Sequence, residues 1–282
     1  MVCEPVSLYG KPAFVVWRVI LHANEGYATI ECMLKEAEKN NPLVEKMFAV
    51  GAQYGYTKSR RHPSVVPFLF GAKGGAELFD LDRTAAALTK ACEAVKAVAQ
   101  KRGTVLFVGS KAEARQALER TARRLNQPFV AGRWIGGSLT NWSEIKKRLA
   151  RLSELTNARE TGEVAKYTKL ERLMLEREEN DLDLMFGGLR GLEGAPALMV
   201  IIDPRHEKIA TEEARCMKVP TVAFLNSDCD ANLITYPIPG NDASRHSIEM
   251  VLGEIAAAYE AGAAAASPAA PVGIPTAANT TN

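Results

Sequence analysis

Three stretches of the chain carry residue types that could do chemistry. Asp228-Cys229-Asp230 places two carboxylates around a thiol. Such a set can act as an acid pair or a reactive thiol, but clusters of this composition at strand ends commonly form turns, and a turn is the favoured reading. Gly109-Ser110 follows an apolar β-branched run and opens a helical stretch, the position where helix N-terminal amides hold anions. A dinucleotide fingerprint needs three glycines in G-x-G-x-x-G, whereas Gly109 is followed by Ser110, Lys111, Ala112 and Glu113, so an ordinary strand-to-helix turn fits better. There is no G-x-x-x-x-G-K-[ST] loop. His22, His62, His206 and His246 show neither metal-ligand spacing nor an HExxH pair, and Cys3, Cys32, Cys92, Cys216 and Cys229 form no CxxC. No catalytic residue, metal ligand, cofactor or small-molecule substrate is expected.

The third stretch, Gly132-Arg133-Trp134-Ile135-Gly136-Gly137-Ser138-Leu139-Thr140-Asn141-Trp142, combines a guanidinium, two indoles and three glycines. Arginine can bridge phosphates, an exposed indole can stack on a base, and glycine lets a backbone approach a partner closely. A second reading stands beside this one, with the tryptophans in the core and the glycines in turns.

The elements that must position these residues follow from periodicity. Helical patterning covers 31–47 and 82–100, the second with Asp82 as the expected N-cap and Gly103 beyond its end. Short strands fit 67–70 and 77–81 in a segment broken by Gly51, Gly55, Pro63, Pro67, Gly71, Gly74 and Gly75. A strand at 104–108 leads to a helix at 111–125 and an edge strand at Phe129-Val130. The same alternation returns as strand 197–202, helix 207–217, strand 220–225, strand 234–238 and helix 243–259. Alternating strands and helices imply a doubly wound α/β fold with a parallel five-stranded sheet. Between its halves, 142–185 carries no strand signal and is too long for a plain connection. Ile145, Leu149 and Leu152, then Leu170, Leu173 and Met174, recur at helical spacing on either side of Gly162, so an antiparallel α-helical hairpin is expected.

Bulk properties narrow the function classes. With 47% hydrophobic and 24% charged residues the chain can build a core, and its formal net charge of only +2 means that any polyanion must be met by local basic clusters. Residues 13–21 are apolar but interrupted by Arg18 and fall short of the roughly 20 residues of a membrane span. Glu4 ahead of that run argues against a signal peptide, and Glu25, Glu31, Glu36, Glu38 and Glu45 argue against a mitochondrial transit peptide. Dispersed, odd-numbered cysteines suit a reducing, cytosol-like compartment, and organelle import is not favoured. Residues 261–282 are Ala, Pro, Ser, Thr and Gly-rich without charge and are expected to be disordered.

The run Arg133 to Asn141 resembles the R-W-[LI]-G-G-x-L-T-N signature of the small-subunit ribosomal protein S-two family. Val105-Leu106-Phe107-Val108-Gly109-Ser110-Lys111, Gly187-Gly188-Leu189, the strand before Asp203, Val219-Pro220 and Tyr236-Pro237-Ile238-Pro239-Gly240-Asn241-Asp242-Ala243 resemble further family blocks in the same order. The resemblance spans about residues 47–260, leaving 1–46 as an N-terminal extension. It implies a flavodoxin-like three-layer domain with a coiled-coil hairpin. It also implies a structural constituent of the small subunit that binds small-subunit ribosomal RNA, touches neighbouring ribosomal proteins and helps hold ribosomal protein S-one.

The chain departs from the family's G-x-H-[FY]-G-H and W-N-P block, where it has Gln53, Tyr56 and Arg61-His62-Pro63. Metal ligation or base contact by those histidines is not expected to carry over, but Lys58, Arg60 and Arg61 keep the segment basic. RNA contact is expected at Lys58, Arg60 and Arg61 and at Arg133, Trp134, Lys146, Lys147, Arg148 and Arg151. Two rival readings are a nucleotide-binding enzyme on the same sheet and a non-ribosomal partner-binding module using the hairpin.

Overall fold

The computed structural model of the chain describes residues 42–265. Its centre is a five-stranded, all-parallel sheet of β4 (Val105–Val108), β5 (Phe129–Val130), β6 (Leu198–Ile202), β7 (Thr221–Leu225) and β8 (Tyr236–Pro239) in the order β5-β4-β6-β7-β8. Numbered within the sheet this is 2-1-3-4-5, the flavodoxin-like order. Every residue of β4, β6 and β7 is buried, as expected of parallel strands covered on both faces. The chain therefore has the α/β, flavodoxin-like fold with an inserted helical hairpin that the alternation of strands and helices implied.

One face is covered by α2 (Leu81–Gln100), α3 (Ala112–Arg124) and α7 (Arg245–Ala265), with α7 packed along both others and α1 (Pro42–Ala49) beside α2. On the opposite face Leu106, Val108, Met199, Ile201, Ala223 and Leu225, alternate residues of three strands, meet Ala210 and Ala214 of α6 (Lys208–Cys216). The roots of the hairpin, α4 (Trp142–Glu160) and α5 (Lys169–Phe186), join the same cluster through Ile145, Leu152, Leu182 and Phe186.

Several elements differ from the sequence expectation. A small antiparallel sheet in the order β1-β3-β2 is built from β1 (Tyr54–Thr57), β2 (Leu69–Lys73) and β3 (Ala76–Phe79), and β1 carries no apolar alternation that would announce it. Asp80, not Asp82, caps α2, accepting from the amides of Asp82 and Arg83. The last helix runs to Ala265 because Gly262 seats against Lys96 and Ala99 of α2, so 261–265 belong to it; 266–282 lie outside the described residues, as does 31–41 of the expected first helix.

The hairpin forms, but with a different face inward. Leu170, Leu173 and Met174 are exposed at 70%, 42% and 58%, while Leu175, Glu179, Leu182 and Phe186 face α4. The reason is Glu179: a carboxylate in the middle of the inward stripe disguises it in the sequence. It is satisfied there by the Thr156 hydroxyl at 3.2 Å and by Arg159 at 3.2 Å. A capping box between Thr168 and Glu171 starts α5.

The hairpin returns to the sheet through the 3-10 turn Gly187–Leu189, where a Cβ on Gly188 would overlap the carbonyl oxygen of Phe129 in edge strand β5. Gly188→Ala should therefore destabilise the protein by about 1–3 kcal/mol through forced displacement of β5 or the turn. A Cβ on nearby Gly191 meets nothing within 4 Å, so Gly191→Ala should lie within about 0.5 kcal/mol of wild type. Urea unfolding midpoints of the two variants check this, and equal midpoints would mean that the close approach is not needed.

Candidate functional site

The glycine and tryptophan loop is organised by one carboxylate. Glu213, on α6 and 7% exposed, accepts from the Gly137 amide at 2.7 Å through Oε1, and from Leu139 at 2.9 Å and Thr140 at 3.2 Å through Oε2. The Trp134 indole donates to Oε1 at 3.3 Å. Gly137 reaches this position with φ +90°, a conformation that side-chain-bearing residues rarely adopt. Burial pushes the Glu213 carboxyl up, but the donors of Leu139, Gly137, Thr140 and Trp134 outweigh it and leave it below the usual carboxylate range.

Trp134 is therefore a packing residue. At 5% exposure, with its N–H committed to Glu213, its ring is packed inside the loop. Trp142 is half-buried and donates to the Glu193 carbonyl at 3.2 Å. Arg133 is exposed and makes no side-chain hydrogen bond or ion pair among the described residues.

The second expected basic element, Lys58, Arg60 and Arg61, lies on and just after the 3-10 turn Lys58–Arg60. Its flanks are pinned to the end of β7 by His62 N–H donating to the Ser227 carbonyl at 2.7 Å and by the Tyr56 amide on Ser227 Oγ at 3.0 Å. Lys58 points to solvent, and Arg60 lies over the Tyr56 ring at 5.7 Å. Arg61 instead pairs at 3.2 Å with Glu77, which is 2% exposed, so its charge is spent inside the protein.

At the hairpin base all four expected cations are exposed, but their surroundings differ. Lys147 bonds to Glu144 at 2.6 Å, and Arg151 forks onto Glu178 at 3.0 and 3.2 Å. Lys146 and Arg148 have no hydrogen bond or ion pair among the described residues. Successive helical residues diverge by about 100°, so Lys146 and Lys147 point in different directions and the set is a collar around the helix.

In this sheet order a ligand would enter the crevice between the carboxyl ends of β4 and β6. That crevice is filled by the protein's own side chains. Lys111 Nζ lies 3.2 Å from Asp203, 3.0 Å from Asp242 and 3.5 Å from the Tyr56 hydroxyl. Burial, then Asp203, pushes the fully buried Asp242 up to about 6, against the pull of Lys111. Burial lowers Lys111, but Asp242 and Asp203 raise it further, so it stays protonated. The Ser110 amide, where a phosphate would bind, already donates to Glu207 at 2.9 Å. Gly109 serves packing, since a Cβ there would come within 2.9 Å of Leu118 and 3.2 Å of Ile202.

Ser110, His206 and Glu207 look like a hydrolase set but are wired differently. The Ser110 hydroxyl bonds to Glu207 directly, and both reach the same ring nitrogen, at 3.0 and 3.2 Å from His206 Nδ1. A relay needs nucleophile and carboxylate on opposite nitrogens of the histidine ring. Burial first, then Asp203 and Asp228, raises the Cys229 thiol so that it stays protonated, and Asp230 caps the following turn by accepting from Asn232 N–H at 3.0 Å. Sequence reasoning missed both Glu213 and the Lys111, Asp203, Asp242 group. Their partners are 73 to 92 residues or more away in the chain, and only a fold brings them together.

Glu213→Gln should cost about 3 kcal/mol, because the amide nitrogen would face backbone donors instead of accepting from them. A carboxyl held low in the folded state contributes stability that is present above its unfolded value and is lost as pH falls through the folded value. The variant should therefore lose its deficit relative to wild type as pH is lowered below about 4.3. Unfolding free energies measured from pH 7 to pH 3 check this, and a deficit that stays constant across the range would refute the ionic role.

Residues 47–262 match the family model described as Ribosomal protein S2. The chain is 40% identical over 210 residues to the small ribosomal subunit protein uS2 of Rhizobium leguminosarum bv. trifolii, covering 73% of this chain and 81% of that protein. It is 37% identical over 221 residues to the uS2 protein of Maridesulfovibrio salexigens, covering 78% and 85%. The uS2 protein of Nocardia farcinica is 38% identical over 219 residues, covering 78% and 77%. Conserving this fold while closing its ligand crevice suits a scaffold: the chain belongs to the ribosomal protein S2 family, structural and non-enzymatic constituents of the small ribosomal subunit.

Proposed function

We propose that the chain binds small-subunit ribosomal RNA in a bacterial cytoplasmic ribosome, through phosphate contacts made by local cationic groups. The observation that carries this reading is that Arg133, Lys146 and Arg148, near the root of the hairpin, are exposed and make no hydrogen bond or ion pair among the described residues, although Glu178 lies close enough to feel the charge of Arg148. Lys58 and Arg60 extend the cationic set at the small sheet, and Lys147 and Arg151 add charge partly shared with Glu144 and Glu178. Arg61, exposed but paired with Glu77, and the buried Trp134 support the two elements. No helix among the described residues is long and apolar enough to cross a membrane. The unpartnered apolar strip Leu170, Leu173 and Met174 on the outer face of α5 supports contact with a neighbouring ribosomal protein, and ribosomal protein S-one is the proposed occupant.

Replacing Lys146, Lys147 and Arg148 with Ala removes three charges without touching Ile145, Leu152 or Leu155 of the buried face, so folding should persist. The plot of log affinity against log salt on small-subunit RNA fragments should become shallower by roughly 0.7–0.9 for each phosphate that the variant no longer neutralises, with weakening nearly independent of sequence. Gradient fractionation of cells should show the variant depleted from small subunits. An unchanged slope with normal cosedimentation would remove this face from the RNA interface.

A further inference from the structure

A second cationic surface lies on the open edge of the sheet and shares only Arg133 with the cations that the sequence singled out. A groove of about 850 Å³ runs between α3, edge strand β5 and the end of the hairpin. Arg115, Arg123, Arg133 and Arg190 line it, against two carboxylates, Glu119 and Asp183. Arg115 and Arg123 stand eight residues apart on α3, about 12 Å along its axis and about 80° around it, and both line the groove. Arg115 uses Nε to hold the Ala131 carbonyl at 3.0 Å, which points its guanidinium along the groove and leaves its terminal nitrogens uncommitted among the described residues. Arg123 lies over the Phe129 ring at 5.6 Å while touching Glu119 at 2.7 Å. Arg190 touches Asp183 at 2.7 Å. Both acid pairs are solvent-exposed, and such pairs are weak enough to exchange for a phosphate.

The strand edge itself is closed, because Gly188 packs onto the Phe129 carbonyl and leaves little room for an added peptide strand. What the groove offers is an arc of planar, bidentate donors around a half-exposed aromatic ring, a combination suited to a nucleic-acid backbone. We infer that this groove is a separate phosphodiester-binding surface for ribosomal RNA, centred on Arg115, Arg123 and Arg190 and continuous with Arg133. The inference rests on the RNA-binding reading above and adds to it a site on the opposite side of the hairpin root. Leu184 at 77% and Met185 at 42% exposure form one rim, which makes an acidic amphipathic protein segment the competing occupant.

The test uses the full chain carrying Arg123→Ala and Arg190→Ala, two exposed positions outside the Lys146, Lys147 and Arg148 set, with Arg123→Lys and Arg190→Lys as the charge-conserving control. On small-subunit RNA transcripts the Ala pair should flatten the salt slope by roughly 1.4–1.8, and the Lys pair should restore the slope with part of the affinity. Thermal melting should be unchanged. If wild type binds RNA and the Ala pair keeps its full slope, the groove proposal is overturned while the RNA-binding reading stands. A loss of binding to a synthetic Glu/Leu helical peptide, with the RNA slope intact, would reassign the groove to a protein. If wild type itself shows no salt-dependent RNA affinity, the underlying reading falls and the groove with it.

Discussion

The carboxylate of Glu213 is the constraint on which the surface architecture depends. It gathers the amides of Gly137, Leu139 and Thr140 and the indole of Trp134, groups that would otherwise be buried without partners. The loop lies between β5 and α4, so fixing it to α6 sets both the exit from the edge strand and the starting direction of the hairpin. Arg133 is exposed because its neighbour Trp134 is anchored. The loop that looks most like a ligand-binding motif is thus mainly a joint, and its exposed cation, Arg133, stands beside residues that are anchored in the core.

A related logic applies at the carboxyl ends of β4 and β6. Enzymes with this sheet order leave that crevice open, whereas here Lys111 bridges two aspartates in it and Glu207 occupies the amide of Ser110. A buried ion group of this kind contributes little net stability, because desolvation offsets most of the attraction. Its consequence is positional. Tyr56 and the small antiparallel sheet are drawn onto the ends of β6 and β7 through Lys111, Asn226 and Ser227, and they carry Lys58 and Arg60 with them.

The parallel sheet was legible because its strands are buried on both faces and read as uninterrupted apolar runs between helices of clear periodicity. The hairpin was legible as an insertion but not in its orientation. The inward stripe of α5 contains Glu179, whereas the outward face carries Leu170, Leu173 and Met174, so counting apolar residues selects the wrong side. Burial of Trp134 could not be read because its partner is 79 residues away in sequence. Strand β1 was missed for a different reason: Tyr-Gly-Tyr-Thr is half-exposed on both faces and is held by backbone pairing to β3, which leaves no trace in hydropathy.

Internal pairing also explains how a nearly neutral chain can present cationic surfaces. On the face covered by α1, α2, α3 and α7, Lys46 meets Glu254 at 3.2 Å, Arg120 meets Glu249 at 3.8 Å and Arg124 meets Glu260 at 3.0 Å. Each pair contributes little stability at such exposure, and it offsets one cation locally. Exposed cations without an ion pair among the described residues stand on both sides of the sheet, Lys90 and Lys96 on α2 and Arg133 and Lys146 near the hairpin root, with the outer nitrogens of Arg115 at the open edge. A formal charge of +2 therefore does not exclude local cationic groups, and it is these that a phosphate backbone would meet.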